Sequence, residues 1–176
     1  MENGEKKGVF QPISPEEITG NTIKTIGRDW MLVTAGTKEK FNTMTASWGG
    51  IGHLWNKPVA FIFIRPQRYT FGFLEEQESF TLSFFGGQYR EALTVCGTLS
   101  GRDVNKVERA GLTPHYTENG NVAFEEAVLV LECKKLYADF FHKESFIDTN
   151  IVQLDYPEED FHKVYIAEIV NVWEKK

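Results

Sequence analysis

The most restrictive feature of this sequence is a short run, Pro58 to Ile64, in which every residue is apolar. The run is well short of the roughly 20 residues needed to cross a membrane, so we interpret it as a β-strand. Successive side chains of a strand point to opposite faces of the sheet, and here both faces are apolar. Other parts of the protein must therefore cover both faces.

Strand-like patterns dominate the rest of the chain. Segments rich in β-branched and aromatic residues predict further strands at Trp30–Ala35, Phe41–Trp48, Phe80–Phe85, Ala127–Phe141 and Val164–Trp173. Short helices are predicted at Gln67–Gln77, Gln88–Cys96 and Asp103–Ala110, the last with Asp103 as its N-cap. This order favours a mainly β fold, a closed or nearly closed antiparallel barrel with a few short helices packed outside it.

Glycines and prolines set the predicted turns and boundaries. Gly49 to Gly52 predicts a loop after the second strand, and Asn119 to Asn121 predicts a hairpin turn. Residues 1–19 are predicted to be an N-terminal tail with a turn at Pro12 to Pro15. Residues 20–176 are predicted to form one domain, which is an ordinary size for a chain of this length.

The composition limits the partners that this protein can have. Its net charge is −6 and it has no basic run, which argues against a nucleic-acid partner. The first residues are polar and charged, so we expect no secretory signal, no membrane association and a cytoplasmic location. The four histidines are scattered singly along the chain, so no metal site is expected.

Three polar segments are candidates for ligand binding, and each has a plainer interpretation. Asn42 to Gly50 carries hydroxyls at strand spacing and a glycine loop, or else it is a solvated strand face. Arg65 to Thr70 begins a helix and suits a phosphate, or else its arginines make surface ion pairs. Ser100 to Lys106 joins a glycine turn to a basic helix start, which suits a second phosphate or is an ordinary helix start.

Together these segments resemble the flavin reductase-like, FMN-binding split-barrel family. The matching sequence motifs are TASW at Thr45 to Trp48, RPQRYT at Arg65 to Thr70 and SGRDVNK at Ser100 to Lys106. The resemblance covers about residues 20–175 and is closest to the flavoredoxin-like members. It implies an antiparallel split barrel of the Greek-key type, with non-covalently bound FMN as cofactor.

The last strand of the sequence is also similar to that of the family, with two departures. In the family a His begins this strand and a Gly-Glu-Val follows. Here Ala167 stands in the glycine position, and an extra Phe161 separates Asp160 from His162.

The resemblance also implies roles for individual residues. Those implied to border the isoalloxazine and ribityl chain are Thr45, Ala46, Ser47 and Trp48. Those implied to lie nearest the phosphate are Arg65, Arg68 and Thr70. Ser100 and Lys106 would assist from the third segment, and Arg102 or Lys106 would place positive charge near the flavin ring.

Two further positions have open interpretations. His162 either contacts the nicotinamide or the flavin edge as a catalytic residue, or is a partly exposed His at a strand start. Phe84 or Phe85 either packs against the flavin ring or belongs to the core.

The implied activity is hydride transfer from NAD(P)H to FMN and electron transfer onward to an acceptor. A non-enzymatic FMN electron carrier that serves a redox protein partner is the alternative, because no GxGxxG fingerprint is present. A different ligand on the same barrel, such as haem or pyridoxal phosphate, is a third. The two-sided apolar strand and the ring-rich stretch Tyr137 to Phe141 predict a two-fold homodimer, unless the chain's own helices cover them.

Overall fold

The fold is described for residues 8–176 of a computed structural model, so the first seven residues of the predicted N-terminal tail lie outside the described residues. The strands are β1 (Phe10–Ile13), β2 (Met31–Gly36), β3 (Phe41–Ala46), β4 (Gly49–Leu54), β5 (Lys57–Ile64), β6 (Ser79–Phe84), β7 (Pro114–Tyr116), β8 (Val122–Phe124), β9 (Leu129–Phe140) and β10 (Lys163–Lys175). The α-helices are α1 (Thr22–Lys24), α2 (Tyr69–Glu76), α3 (Arg90–Thr98), α4 (Lys106–Arg109) and α5 (Thr149–Asp155), with short 3-10 or π-helical turns at Pro15–Glu17, Thr25–Asp29 and Lys143–Ser145.

One antiparallel sheet forms the body of the protein. Its strands pair in the order β3-β2-β6-β9-β10-β5-β4, with β1 added to β10, and β7 and β8 make a separate hairpin. The two ends of this order, β3 and β4, are joined by Ser47 and Trp48 alone. Because so short a link holds the two edges together, the sheet must curl on itself. The predicted mainly β split barrel is confirmed.

The barrel has an inner core and a second core outside it. Inward-facing residues of the strands, such as Val33, Ile62 and Leu131, pack together inside, and Phe73 and Leu74 of α2 join them. On the opposite face of β2, side chains of α3 and the β7–β8 hairpin make the second cluster. Helix α3 therefore packs outside the barrel as predicted, whereas α2 contributes to the interior.

The apolar pattern of strand β5 predicts that both of its faces are covered, and the structure confirms this for one face. Ala60, Ile62 and Ile64 are completely buried on the inner face. Phe61 and Phe63 on the outer face are only half-buried. Within residues 8–176, one copy of the chain thus covers one face of this strand and leaves the other partly open.

The predicted loop at Gly49 to Gly52 is wrong, because these residues begin strand β4. Gly50 pairs with Phe61 of β5, and the Phe61 ring lies across it. A Cβ atom on Gly50 would come within 2.2 Å of the ring atom Cζ of Phe61. Glycine is needed here because a neighbouring aromatic ring occupies the space of a side chain, and not because the chain turns.

Other predicted boundaries also need correction. Helix α4 starts at Lys106 and is capped by Asn105, whose side chain accepts from the Glu108 amide at 3.2 Å, so Asp103 is not the N-cap. Residues 10–13, predicted to be part of a tail, pair with the end of β10 as an edge strand. Pro12 is compatible with that position, because an edge strand tolerates a residue without an N–H group. Helix α5 had no sequence signal that we recognised. No helix in the described part of the chain is long and apolar enough to span a membrane.

A buried carboxylate ties the β7–β8 hairpin to the barrel. Glu132 of β9 is completely buried. Its oxygens accept hydrogen bonds, at 2.5–2.8 Å, from Thr117, Asn119, Asn121 and Asn171. Burial alone would raise the pKa of Glu132, but these hydrogen bonds outweigh it and hold the pKa below its ordinary value. The carboxylate therefore contributes stability above the unfolded-state pKa of about 4.3, and this stability is lost as the pH falls through the lower folded-state pKa.

Replacing Glu132 by Gln should lower the free energy of unfolding at pH 7 by about 1–3 kcal/mol, because the new amide group opposes buried donors. Urea unfolding measures this, with Glu118→Gln, an exposed change in the same hairpin, as the control. The difference between the wild type and Glu132→Gln should shrink as the pH is lowered below about 4. Equal stabilities of these two proteins at pH 7 would contradict the role given to this carboxylate.

Candidate functional site

The first cavity lies where the chain crosses from β3 to β4. It has a volume of about 250 Å³. Its lining residues are Met44, Thr45, Ala46, Ser47, Trp48, Phe63, Arg65, Arg68 and His162. Trp48 stands at the rim with 47% of its surface exposed. This cavity thus joins the first predicted segment to part of the second.

The second cavity lies between the start of α2 and the end of α3. Its volume is about 200 Å³. Its lining residues are Gln67, Arg68, Tyr69, Thr70, Gly97, Thr98, Leu99, Ser100, Arg102 and Lys106. Arg68 lines both cavities, so they adjoin at its side chain. His162 and every site residue predicted from the three polar segments line one cavity or the other.

Two positively charged side chains of the second cavity donate hydrogen bonds to the carboxyl end of α3. Arg68 donates to the Gly97 carbonyl at 3.3 Å, and Lys106 donates to the Cys96 carbonyl at 3.0 Å. Helix ends leave such carbonyls without partners inside the helix, so the two side chains satisfy them. Among residues 8–176, neither cation makes an ion pair with a carboxylate. Their positive charge is available to an anion in the second cavity.

Burial makes these charges costly in the absence of an anion. Lys106 is only 4% exposed. Its burial, with the nearby charge of Arg68 adding to it, lowers the pKa of Lys106 to about 8. Burial also lowers the pKa of Arg68. A negatively charged group in the cavity would relieve both effects.

Arg65 is held differently from Arg68. Its guanidinium pairs with Asp160 and donates to the Asp155 carbonyl at 2.8 Å. It also lies over the Tyr156 ring, 5.2 Å from the ring centre. The ion-pair interpretation therefore holds for Arg65, which forms a wall of the first cavity and joins α5 to it.

His162 is buried against the first cavity, with 7% of its surface exposed. The interpretation as a partly exposed His is therefore wrong. Its ring lies 5.0 Å from that of Trp48, and its Nδ1 is 2.8 Å from the Tyr156 hydroxyl. Burial, helped by the charge of Arg65, lowers the pKa of His162 to about 4, so the imidazole is neutral near pH 7.

The remaining predicted residues are fixed by local packing. Thr70 is buried and accepts a hydrogen bond from Asn42 at 2.8 Å. A Cβ atom on Gly101 would lie 2.0 Å from the side-chain oxygen of Asn42, so only glycine lets the third segment pack this closely. Arg102 lies over the Tyr69 ring at 4.9 Å.

Some residues at the site were missed or misinterpreted. Phe63 lines the first cavity, and its place in the apolar strand was the available signal. Tyr156 was missed because helix α5 was not predicted. Phe84 and Phe85 are each 1% exposed and belong to the two cores, so neither is available to a ligand.

A larger open cleft, of about 840 Å³, shares Tyr69, Arg102 and Lys106 with the second cavity. It is also lined by the acidic residues Glu39, Asp103 and Glu108. The second cavity is the better anion site, because Arg68 lines it and not the cleft and because no acidic residue of the described chain lines it.

The chain belongs to the flavin reductase-like family, whose domain model matches residues 23–176. A comparison with curated proteins gives no match. Several solved structures are similar in fold. An FMN-binding protein from Thermus thermophilus with bound p-hydroxybenzaldehyde is 24% identical, with a TM-score of 0.63 over 84% of this chain and 71% of that one.

Two other neighbours show the range within this fold. The flavoredoxin of Methanosarcina acetivorans is 21% identical, with a TM-score of 0.63 over 84% of this chain and 68% of that one. The NADH:FAD oxidoreductase of Streptomyces globisporus, in complex with NAD and FAD fragments, is 18% identical, with a TM-score of 0.62 over 82% of this chain and 73% of that one.

Replacing Lys106 by Met should stabilise the ligand-free protein at pH 7, by about 1–2 kcal/mol, because it removes a buried charge without a carboxylate partner. The Cys96 carbonyl loses its donor, which limits the gain. Since the folded-state pKa of about 8 lies below the unfolded value of roughly 10.4, wild-type stability should rise as the pH increases between these values.

The variant Lys106→Met should lack this rise. Urea unfolding at pH 7 and pH 9.5 measures both effects, with the exposed Lys134→Met as the control. A loss of stability in Lys106→Met at pH 7 would mean that the contact with the α3 carbonyl matters more than the buried charge.

Proposed function

We propose that this protein binds FMN non-covalently and acts as a flavin oxidoreductase that takes electrons from NAD(P)H. The observation that carries the proposal is the pair Arg68 and Lys106, two cations that line the second cavity and make no ion pair with a carboxylate of residues 8–176. Membership of the flavin reductase-like family supports the same conclusion.

The two cavities fit the two ends of FMN. Arg68, Lys106 and the start of α2 would hold the phosphate in the second cavity, since guanidinium groups and helix amides bind phosphate well. The isoalloxazine would lie along Thr45 to Trp48 in the first cavity. The combined volume lies in the range of about 300–1,000 Å³ that is usual for small-molecule sites.

The chain's own residues have limited tasks in this reaction. FMN, when bound, supplies the ability to accept a hydride at N5 and to pass electrons on. Trp48 covers the rim of the cavity, and the neutral His162 offers a hydrogen-bonding group without adding charge. Arg102, on the wall of the second cavity, and Lys106 place positive charge on the phosphate side.

The variant Arg68→Ala should weaken FMN binding by about 1.5–3 kcal/mol, through loss of a charge-assisted contact with the phosphate. Riboflavin has no phosphate, so its affinity should barely change. Flavin fluorescence titrations measure both affinities, with Arg109→Ala, an exposed arginine of α4, as the matched control. Equal losses for the two flavins would show that Arg68 is structural or that the phosphate lies elsewhere.

The activity itself is tested by absorption spectroscopy. The purified protein, reconstituted with FMN, is mixed anaerobically with NADH and with NADPH. Rapid bleaching of the flavin bands by either nucleotide is expected for a reductase. Failure to bind FMN at all would refute the proposal, and the spectrum would at the same time reveal haem or pyridoxal phosphate.

A non-enzymatic electron carrier for a redox protein partner, similar to the flavoredoxins, is the second candidate. The exposed Trp48 at the rim of the first cavity favours it, because a partner protein could approach the ligand there. Bound flavin that resists both nucleotides would favour this function over the first. The cytoplasmic location stays a prediction.

We also propose that the protein is a homodimer. Phe61, Ile166 and Tyr137 are paired across β5, β10 and β9, so their side chains form one row on the outer face. Tyr137 is 47% exposed, and Phe61 and Ile166 are half-buried. An apolar row of this kind, next to the Phe63 wall of the first cavity, is well suited to a two-fold partner.

Replacing Ile166 by Lys should convert such a dimer to a monomer, because the new charge would be buried in the interface. Analytical ultracentrifugation measures the mass, with Val170→Lys, an exposed change farther along the same strand, as the control. A wild-type protein that sediments as a monomer at micromolar concentration would refute the dimer.

A further inference from the structure

The hydroxyl of Tyr156 is placed to control which nitrogen of His162 carries the proton. Tyr156 is 3% exposed and follows helix α5. Its oxygen lies 2.8 Å from Nδ1 of His162. No other hydrogen-bond partner of the imidazole is found among residues 8–176. Its second nitrogen, Nε2, is free to serve a ligand in the first cavity, which His162 lines.

A neutral imidazole and a hydroxyl can share one hydrogen bond in two ways. Either the Tyr156 O–H donates to Nδ1 and the proton of His162 sits on Nε2, or Nδ1 donates to the oxygen and Nε2 is bare. The first arrangement presents a donor to the cavity and the second presents an acceptor. The surroundings of Tyr156 decide between them.

The surroundings of Tyr156 make its hydroxyl the donor. Burial raises the pKa of Tyr156, and the charges of Asp155 and Asp160 add to this while that of Arg65 opposes it, so the proton stays on the oxygen. Among residues 8–176 this buried hydroxyl has no hydrogen-bond partner other than Nδ1, so an O–H group turned away from Nδ1 would lose its acceptor. The O–H therefore points to Nδ1.

Tyr156 is held firmly in this position. Its ring packs against those of Phe146 and Phe161, at 5.8 and 4.9 Å. Asp160 and the Asp155 carbonyl hold Arg65 above it. The charged groups that act on His162 are Arg65, Asp160 and Asp155. Burial and the charge of Arg65 lower the pKa of His162 and keep the imidazole neutral, because they outweigh the two carboxylates, which act to raise it.

We propose that Tyr156 is a positioning residue that fixes His162 in the Nε2–H tautomer, so that the cavity is provided with a neutral N–H donor for a carbonyl oxygen of its ligand. The assignment of the ligand as a flavin rests on the proposed function. The tautomer itself rests only on the hydrogen bonds, burial and charges of the chain's own residues.

Long-range proton–nitrogen correlation spectra of protein with ¹⁵N-labelled histidine read the tautomer directly. His162→Gln identifies the signals of His162 by their loss. The wild type should have a neutral His162 with its proton on Nε2 at pH 7. Tyr156→Phe should shift His162 toward the Nδ1–H form, whereas Tyr89→Phe, a change of an exposed tyrosine, should leave it unchanged.

A wild-type spectrum with an Nδ1–H or a charged imidazole at pH 7 would overturn the proposal, even if Tyr156→Phe did not fold. So would an unaltered tautomer in a folded Tyr156→Phe protein. Addition of FMN should move the Nε2–H signal of the wild type. A signal that stays in place while flavin is retained would refute the contact with the ligand, and a protein that retains no flavin would refute the proposed function but not the tautomer.

Discussion

The two-residue link between β3 and β4 is the constraint on which the rest of the structure depends. These strands are the two edges of the sheet, and Ser47 and Trp48 hold them at one corner. A sheet whose edges are held this close must form a barrel, and the corner cannot be filled by a further strand. The first cavity is the space that remains there. Gly50, just after the corner, leaves room for the Phe61 ring, so the second edge packs closely on its neighbour.

Two buried positive charges hold the second cavity in shape, and their burial lowers the stability of the ligand-free protein. Arg68 and Lys106 satisfy the last carbonyls of α3, which fixes this helix against the start of α2 and the third segment. A carboxylate at this place would have made the protein more stable and closed the site to anions. Glu132 is the opposite case in the same molecule, because its buried charge accepts four hydrogen bonds from neighbouring side chains. By this contrast, the charges of Arg68 and Lys106 serve ligand binding and the charge of Glu132 serves the stability of the fold.

Much of the fold could be predicted because its strands carry strong local patterns. The apolar run of β5 and the alternation in β3 depend only on which residues follow each other. Elements that depend on distant partners could not be found in this way. Strand β1 exists because β10 offers it a free edge, and α5 is a helix of only seven residues, none of which is buried. Gly50 was misinterpreted for the same reason, since the ring that requires a glycine lies on another strand.

The sequence predicted which segments form the candidate site better than it predicted the roles of the individual residues. The three segments were found by their polar residues and glycines, the family resemblance added to that evidence, and the structure brings them to adjoining cavities. The sequence could not distinguish Arg65, which is paired with Asp160, from Arg68, which has no such partner. Nor could it place Tyr156 beside His162, because the contact depends on how the α5 segment folds back onto β10.

A crystal structure of the protein with FMN tests the central claim most directly. We expect the phosphate to lie in the second cavity, within hydrogen-bond distance of Arg68 and Lys106, and the flavin ring to lie along Thr45 to Trp48 beside His162. A phosphate bound elsewhere, such as in the larger cleft beyond Tyr69, or a flavin ring away from the β3–β4 corner, would contradict it.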